Sequence, residues 1–149
     1  MNIRHVKPEE AEAWLVMRRA LWPETNEDRH LKEMAKIIAD RDQYAAFVCE
    51  NEKNALVGFA ETSLRECAEG CTSSPVGYLE GWFVTGHARG QGIGSKLLAA
   101  SEDWARANNC TEMASDTDIK DKATKAIHRK LGYQIAGMVV AFRKNLKAP

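Results

Sequence analysis

The chain has 149 residues, 44% of them hydrophobic and 28% charged, with Lys plus Arg and Asp plus Glu each totalling 21. A length of this order suits one packed core, and the composition excludes disordered, collagen-like and low-complexity classes. The charge balance leaves no net field to hold nucleic acid or an anionic membrane, so a charged partner has to be met by a local cluster.

Asn2 to Val6 alternate as a short strand. Pro8 then opens a helix expected to reach about Leu21, with Glu9, Glu10 and Glu12 favourable to its positive end. Trp14 and Leu21, and Leu15 and Trp22, are paired seven apart on one side, and Pro23 ends the helix. A second helix is predicted from Glu27 to Asp40, capped by Asn26, with Leu31, Met34, Ala35 and Ile38 as its apolar stripe. Two strands, Tyr44 to Cys49 and Leu56 to Leu64, flank the polar turn Glu50 to Asn54 and read as a hairpin. After the polar stretch Arg65 to Pro75, Val76 to Val84 is the strongest strand signal in the chain. A long helix from near Gly92 carries Ile93, Leu97, Leu98, Trp104 and Ala105 towards Asn108 and Asn109. Glu112 to Ser115 reads as a short strand, and Ala123, Ile127 and Leu131 mark a last helix stopped by Gly132. Tyr133 to Leu146 is strand-like.

This order predicts an α/β fold in one domain over residues 1–149: a mixed central sheet flanked by helices, with a right-handed parallel crossover from Val84 to Glu112. Ligands in such sheets gather at the carboxyl ends of strands, here after Val84 and after Ser115. No segment approaches the roughly 20 apolar residues of a membrane span, and no apolar run follows the basic residues of the N-terminus. A cytoplasmic protein without a membrane partner is therefore expected, its four cysteines (Cys49, Cys67, Cys71 and Cys110) reduced. The four histidines offer no metal-like spacing, so no metal is expected.

The segment from Val84 to Ser95 leaves a strand and enters a helix, with glycines at 86, 90, 92 and 94. Glycines let the backbone approach an anion, the helix N-terminus presents N–H groups and a favourable dipole, and Arg89 adds a fixed charge. A dinucleotide fingerprint starting at Gly90 would need glycine where Ser95 stands, and Gly94-Ser95-Lys96 does not supply a Walker Gly-Lys-Ser/Thr. Arg89-Gly90-Gln91-Gly92-Ile93-Gly94 instead resembles the pyrophosphate loop of the GNAT superfamily of N-acetyltransferases, and the order of elements is similar along nearly the whole chain. The resemblance implies acetyl-CoA as co-substrate, held by Arg89, Gly90, Gln91, Gly92, Ile93, Gly94 and Ser95. Its pantetheine arm would run strand-like beside Phe83 and Val84, where the strand splays from the next one.

Further pieces are similar to the aminoglycoside 6′-N-acetyltransferases: Leu21-Trp22-Pro23, Cys71 to Val76, Leu79 to Val84, Glu112 to Thr117, and His128 with Leu131-Gly132-Tyr133. This implies transfer of an acetyl group to the 6′-amine of an aminoglycoside by direct attack, an activity that confers antibiotic resistance. Glu80, inside an apolar strand, needs either a structural partner or a task, and it could accept a proton from the substrate ammonium. Asp116 and Asp118 follow the next strand and are expected to meet Glu80 across an acidic cleft. Trp22 and Glu24 would wall the sugar rings, with core packing the alternative for Trp22. The backbone N–H of Val84 is the candidate oxyanion donor, and His128, otherwise a helix-surface histidine, stands where the family places a proton donor for the departing thiolate. Arg65 to Gly70 departs from the branch, which carries a tyrosine there, while Glu66 and Glu69 add negative charge. Other amines, such as polyamines, small metabolites or protein N-termini, and a non-catalytic acyl-CoA-binding role, are the alternatives. A homodimer is expected, because residues 133–146 suit one long strand paired with or exchanged into a partner.

Overall fold

In the computed structural model, which describes residues 1–147, five strands form one sheet in the order β1 to β5. They are β1 (Asn2–His5), β2 (Tyr44–Glu50), β3 (Leu56–Arg65), β4 (Val76–Val84) and β5 (Met113–Ser115). Every neighbouring pair is antiparallel except β4 and β5, which are parallel, as the crossover connection requires. Helices α1 (Ala11–Leu21), α2 (Glu27–Ala39), α3 (Ile93–Ala107) and α4 (Lys122–Lys130) complete the fold. Pro8–Glu10 forms a 3₁₀ turn before α1, where the expected helix ran on without a break.

Both faces of the sheet's centre are covered, so its strands read as nearly unbroken buried runs. Ala45 to Cys49 in β2 and Val57 to Ser63 in β3 are buried. A Cβ on Gly77 of β4 would lie 2.6 Å from the Ala105 methyl group of α3, so glycine is what lets that helix approach this closely. A Cβ on Gly81 would lie 2.3 Å from the ring of Trp22, at the end of α1, on the opposite face. Helix α3 follows its expected stripe, with Ile93, Leu97, Leu98, Ser101 and Ala105 buried.

Asn26 caps α2 as expected, its side chain accepting from the Arg29 N–H at 2.9 Å. The apolar stripe differs, however. His30 and Met34 are buried, with Ile37 and Ile38 packed against the core, while Leu31 and Ala35 face solvent. The inward face is turned because the buried Arg18 of α1 draws His30 inside, its Nε–H donating to His30 Nδ1 at 3.2 Å.

The chain separates into two compact units, Met1–Asp116 and the residues from Thr117 on. In the second unit, Asp121 caps α4 by accepting from the Thr124 N–H at 2.9 Å, and Gly132 follows the helix at φ 91°. The strand expected over Tyr133 to Leu146 is absent among the described residues. Met138, Val139, Val140 and Phe142 are all more than 70% exposed. A strand exists only through ladder bonds to a neighbour, and among the described residues the sheet comprises β1 to β5 alone.

Candidate active site

The site is built on an irregularity in β4. Leu79 pairs with Thr62 and Gly81 with the adjacent Glu61, so Glu80 is an extra residue between them, a β-bulge. The bulge shifts the alternation by one and turns Glu80 towards the α1 and α2 face, beside Gly81. Ser63 Oγ–H donates to Glu80 Oε1 at 2.6 Å, and the Arg65 guanidinium grips both Glu80 oxygens at 2.8–3.0 Å. Glu80 therefore has a partner, and its side chain stays 34% exposed. It opens onto a cleft of about 320 Å³, lined also by Glu33, Lys36, Tyr44, Glu61 and Arg65.

Tyr78, two residues earlier on β4, links Glu80 to Asp116. Its hydroxyl donates to Asp116 Oδ2, and the Arg65 guanidinium lies 3.4 Å from its ring centroid. Burial, together with the Asp116 carboxylate that the hydroxyl bonds, raises the Tyr78 phenol well above its ordinary value. Asp116 and Glu80 are thus joined through Tyr78 and Arg65. Sequence reasoning missed both linking residues, although Ser63 and Arg65 lie two apart on β3 and so share a face across from β4.

Beneath the cleft lies a buried polar network that apolar periodicity cannot show. Glu61 accepts from Trp14 Nε1–H at 2.9 Å and from Arg18 at 2.6 and 2.7 Å. Arg18 also pairs with Glu33, which accepts from Arg29 at 3.0 Å as well. Burial pushes the Glu61 carboxyl up, and the adjacent guanidinium opposes that shift. Trp22 meets the core-packing alternative. It packs on the core, 6.1 Å from Phe59 and 4.8 Å from the Arg18 guanidinium, and it walls the strand beside Glu80. Glu24 is exposed in the turn after α1.

The glycine loop lies beyond the end of β4. The Thr85 N–H donates to the Val57 carbonyl at 2.9 Å, which by alternation points the Val84 N–H towards the opposite edge. Strand β5 pairs with β4 only from Gly77 to Leu79, so no strand of the sheet continues along that edge beside Phe83 and Val84. Arg89 Nε–H donates to the Val84 carbonyl at 3.0 Å. Gly90 and Gly92 have φ 77° and 76°, a left-handed backbone that L side chains rarely adopt, and open space lies where a Cβ would stand. The first bond of α3 runs from Lys96 N–H to the Gly92 carbonyl, leaving the N–H groups of Ile93, Gly94 and Ser95 without an acceptor within the helix. Trp82 Nε1–H donates to the Gly94 carbonyl at 3.0 Å and braces this end of the helix.

In the second unit, Asp118 Oδ1 accepts from the Lys120 N–H at 2.8 Å. His128 Nδ1 lies 2.8 Å from the Thr124 carbonyl, and its ring meets Tyr133 edge-on at 5.5 Å.

The chain and its fold have counterparts among known proteins. The family model described as "Acetyltransferase (GNAT) family" matches residues 11–133. The chain belongs to the GNAT family of acetyltransferases. It is 40% identical over 136 residues to an aminoglycoside N(6′)-acetyltransferase type 1 of Serratia marcescens, covering 91% of this chain and 92% of the relative. The enzyme of the same name from Stenotrophomonas maltophilia is 40% identical over 147 residues, covering 98% and 94%. Among solved structures, AAC(6′)-Iy in complex with the bisubstrate analogue CoA-S-monomethyl-acetylneamine superposes with a TM-score of 0.91 at 34% identity, covering 97% of each chain. The GNAT resemblance expected from the loop and the element order is borne out over nearly the whole chain.

Proposed function

We propose that this chain transfers the acetyl group of acetyl-CoA to the 6′-amine of aminoglycosides, by direct attack in a ternary complex, and so confers resistance to them. The observation that carries this reading is β4. One strand ends in an anion cradle and, four residues before that end, presents a carboxylate into an open cleft. The likeness to relatives bearing that activity in their names supports the substrate class.

The loop suits a pyrophosphate: the glycines at 90 and 92 leave room where side chains would stand, and the helix start directs N–H groups outward. Arg89 and the backbone from Gly90 to Ser95 would hold the phosphates, and Phe83 and Val84 the pantetheine arm. Bound acetyl-CoA supplies the activated acetyl thioester. Only a neutral amine attacks it, and Glu80 takes the proton from the substrate ammonium, directly or through one water. The Val84 N–H stabilises negative charge on the acetyl oxygen. Asp116 accepts from Tyr78 and retains lone pairs for a second ammonium group. Trp22 and Glu24 are assigned to the sugar rings and Asp118 to a substrate ammonium, and His128 is assigned the proton for the departing thiolate. We assign these roles to one GNAT domain over residues 1–149, working in the cytoplasm. We further propose a homodimer whose interface uses the exposed apolar stretch 133–146; light scattering showing a monomer at micromolar concentration would refute that part.

The amine site is tested by thiol-release kinetics on two variants. Glu80→Gln should depress kcat at neutral pH and recover in part at higher pH, where the free amine is already deprotonated. Asp116→Asn should weaken kanamycin binding by about 1.5–3 kcal/mol, the range for hydrogen bonds to charged groups, with little change for acetyl-CoA. If both variants acetylate kanamycin at wild-type efficiency, the assigned amine site is wrong.

A further inference from the structure

The cation already on Glu80 is part of the protein. Arg65, 42% exposed at the end of β3, places Nε and a terminal nitrogen within 2.8–3.0 Å of both carboxylate oxygens, while Ser63 fixes the carboxylate from the strand side. The guanidinium is stacked on Tyr78 at 3.4 Å, and the Tyr78 hydroxyl is bonded to Asp116. A single arginine thus lies between the two carboxylates to which the amine site was assigned, on the wall of the 320 Å³ cleft.

Two positive groups cannot share one small carboxylate at full strength. An ammonium arriving at Glu80 has to displace the guanidinium or accept its repulsion. The geometry favours displacement. Arg65 is a long side chain at a strand end and is partly solvated, so an ion pair of this kind is worth only a few-fold in affinity. Its stacking on Tyr78, already made at 3.4 Å, is a contact it can keep when its bonds to Glu80 are given up. Ser63 stays bonded to Glu80 throughout and keeps the carboxylate aimed while the cations change places.

We propose that Arg65 is an internal stand-in for the substrate ammonium: it holds Glu80 in the substrate-free protein and gives way to the amine, so that it sets how tightly a cationic substrate binds. The proposal rests on the reading of Glu80 as the amine-facing carboxylate. Arg65 acts through Glu80 and is a positioning residue for specificity, with no part in proton transfer.

The test is a binding cycle on the intact protein, with kanamycin as the probe and isothermal titration in the absence of acetyl-CoA. Arg65→Gln should bind kanamycin about two- to fivefold more tightly, the span expected for removing one partly exposed competing ion pair. Arg65→Lys, which keeps the charge but loses the fork, should fall between. In a Glu80→Gln background, Arg65→Gln should change affinity much less, because no carboxylate remains to compete for. The Arg65 Nε–H resonance should shift when kanamycin saturates the wild type. An Arg65→Gln variant that binds kanamycin more weakly, or an Arg65 resonance unmoved at saturation, would overturn the displacement while leaving Glu80 in place. Glu80→Gln with unchanged kanamycin affinity and unchanged kcat would instead overturn the underlying reading of Glu80, and this proposal with it.

Discussion

Adding one methyl group at Gly81 tests the wall beside the bulge. An ideal Cβ there lies 2.3 Å from Cη2 and 2.7 Å from Cζ2 of Trp22, whereas ordinary contact begins near 3.4 Å, so the indole must retreat by about 1.1 Å. It has little room to do so. Behind it stands the Arg18 guanidinium, 4.8 Å from the ring centroid, and Arg18 is fixed by its buried ion pair with Glu61; Phe59 stands at 6.1 Å. Overpacking of this kind costs about 1–3 kcal/mol, which for a chain of this size lowers Tm by roughly 3–10 °C. Gly81→Ala should show that loss in a thermal melt and should raise KM for kanamycin more than KM for acetyl-CoA, because the collision falls on the residue that follows Glu80 in β4. Added to Trp22→Ala, the same methyl should cost close to nothing, since its collision partner is gone. A Gly81→Ala protein melting within about 1 °C of the wild type, or an equal loss in the Trp22→Ala background, would refute the reasoning.

Arg89→Ala should raise KM for acetyl-CoA about tenfold or more while leaving KM for kanamycin within about twofold, as steady-state kinetics on both substrates would show. Arg18→Met leaves Glu61 buried without its counter-charge and should destabilise the protein by about 3–5 kcal/mol in urea unfolding, with Arg18→Met/Glu61→Leu recovering much of the loss. The Ser73 hydroxyl and the Thr72 and Ser73 N–H groups hold the Glu112 carboxyl below its usual value of 4.5. A depressed folded value stabilises above the unfolded one and is lost as pH falls through it. The Tm gap between wild type and Glu112→Gln should therefore be full above about pH 5 and close on acidification, which thermal melts from pH 7 to pH 3 would check.

Elements whose cause is local were legible in the sequence. Apolar spacing placed α3 and its buried stripe, turn composition placed the β2–β3 hairpin, and the glycines after Val84 marked the left-handed turn that enters α3. What was not legible depends on partners distant in sequence. Glu80 is turned into the cleft by a bulge, which shows only once β3 and β4 are paired in register. Arg65 looks like one more residue of a polar loop until that register brings it within 3.0 Å of Glu80. His30 and Glu61 are polar letters in stretches where burial was assigned to apolar neighbours, and only the pairing with Arg18 brings them inside. The stretch 133–146 carries a strand pattern without a strand among the described residues, because a period-two pattern states only what a segment can pair with and a ladder is set by partners distant in sequence.

Transfer of an acetyl group to one particular amine is read from the position of that group on the product of a single reaction. The purified protein is given acetyl-CoA and either neomycin or paromomycin, which has a hydroxyl in place of the 6′-amine, and the product is mapped by two-dimensional NMR. One acetyl group on the 6′-nitrogen of neomycin and no thiol release with paromomycin are expected. Equal thiol release from both, or acetyl found on another nitrogen, would contradict transfer to the 6′-amine.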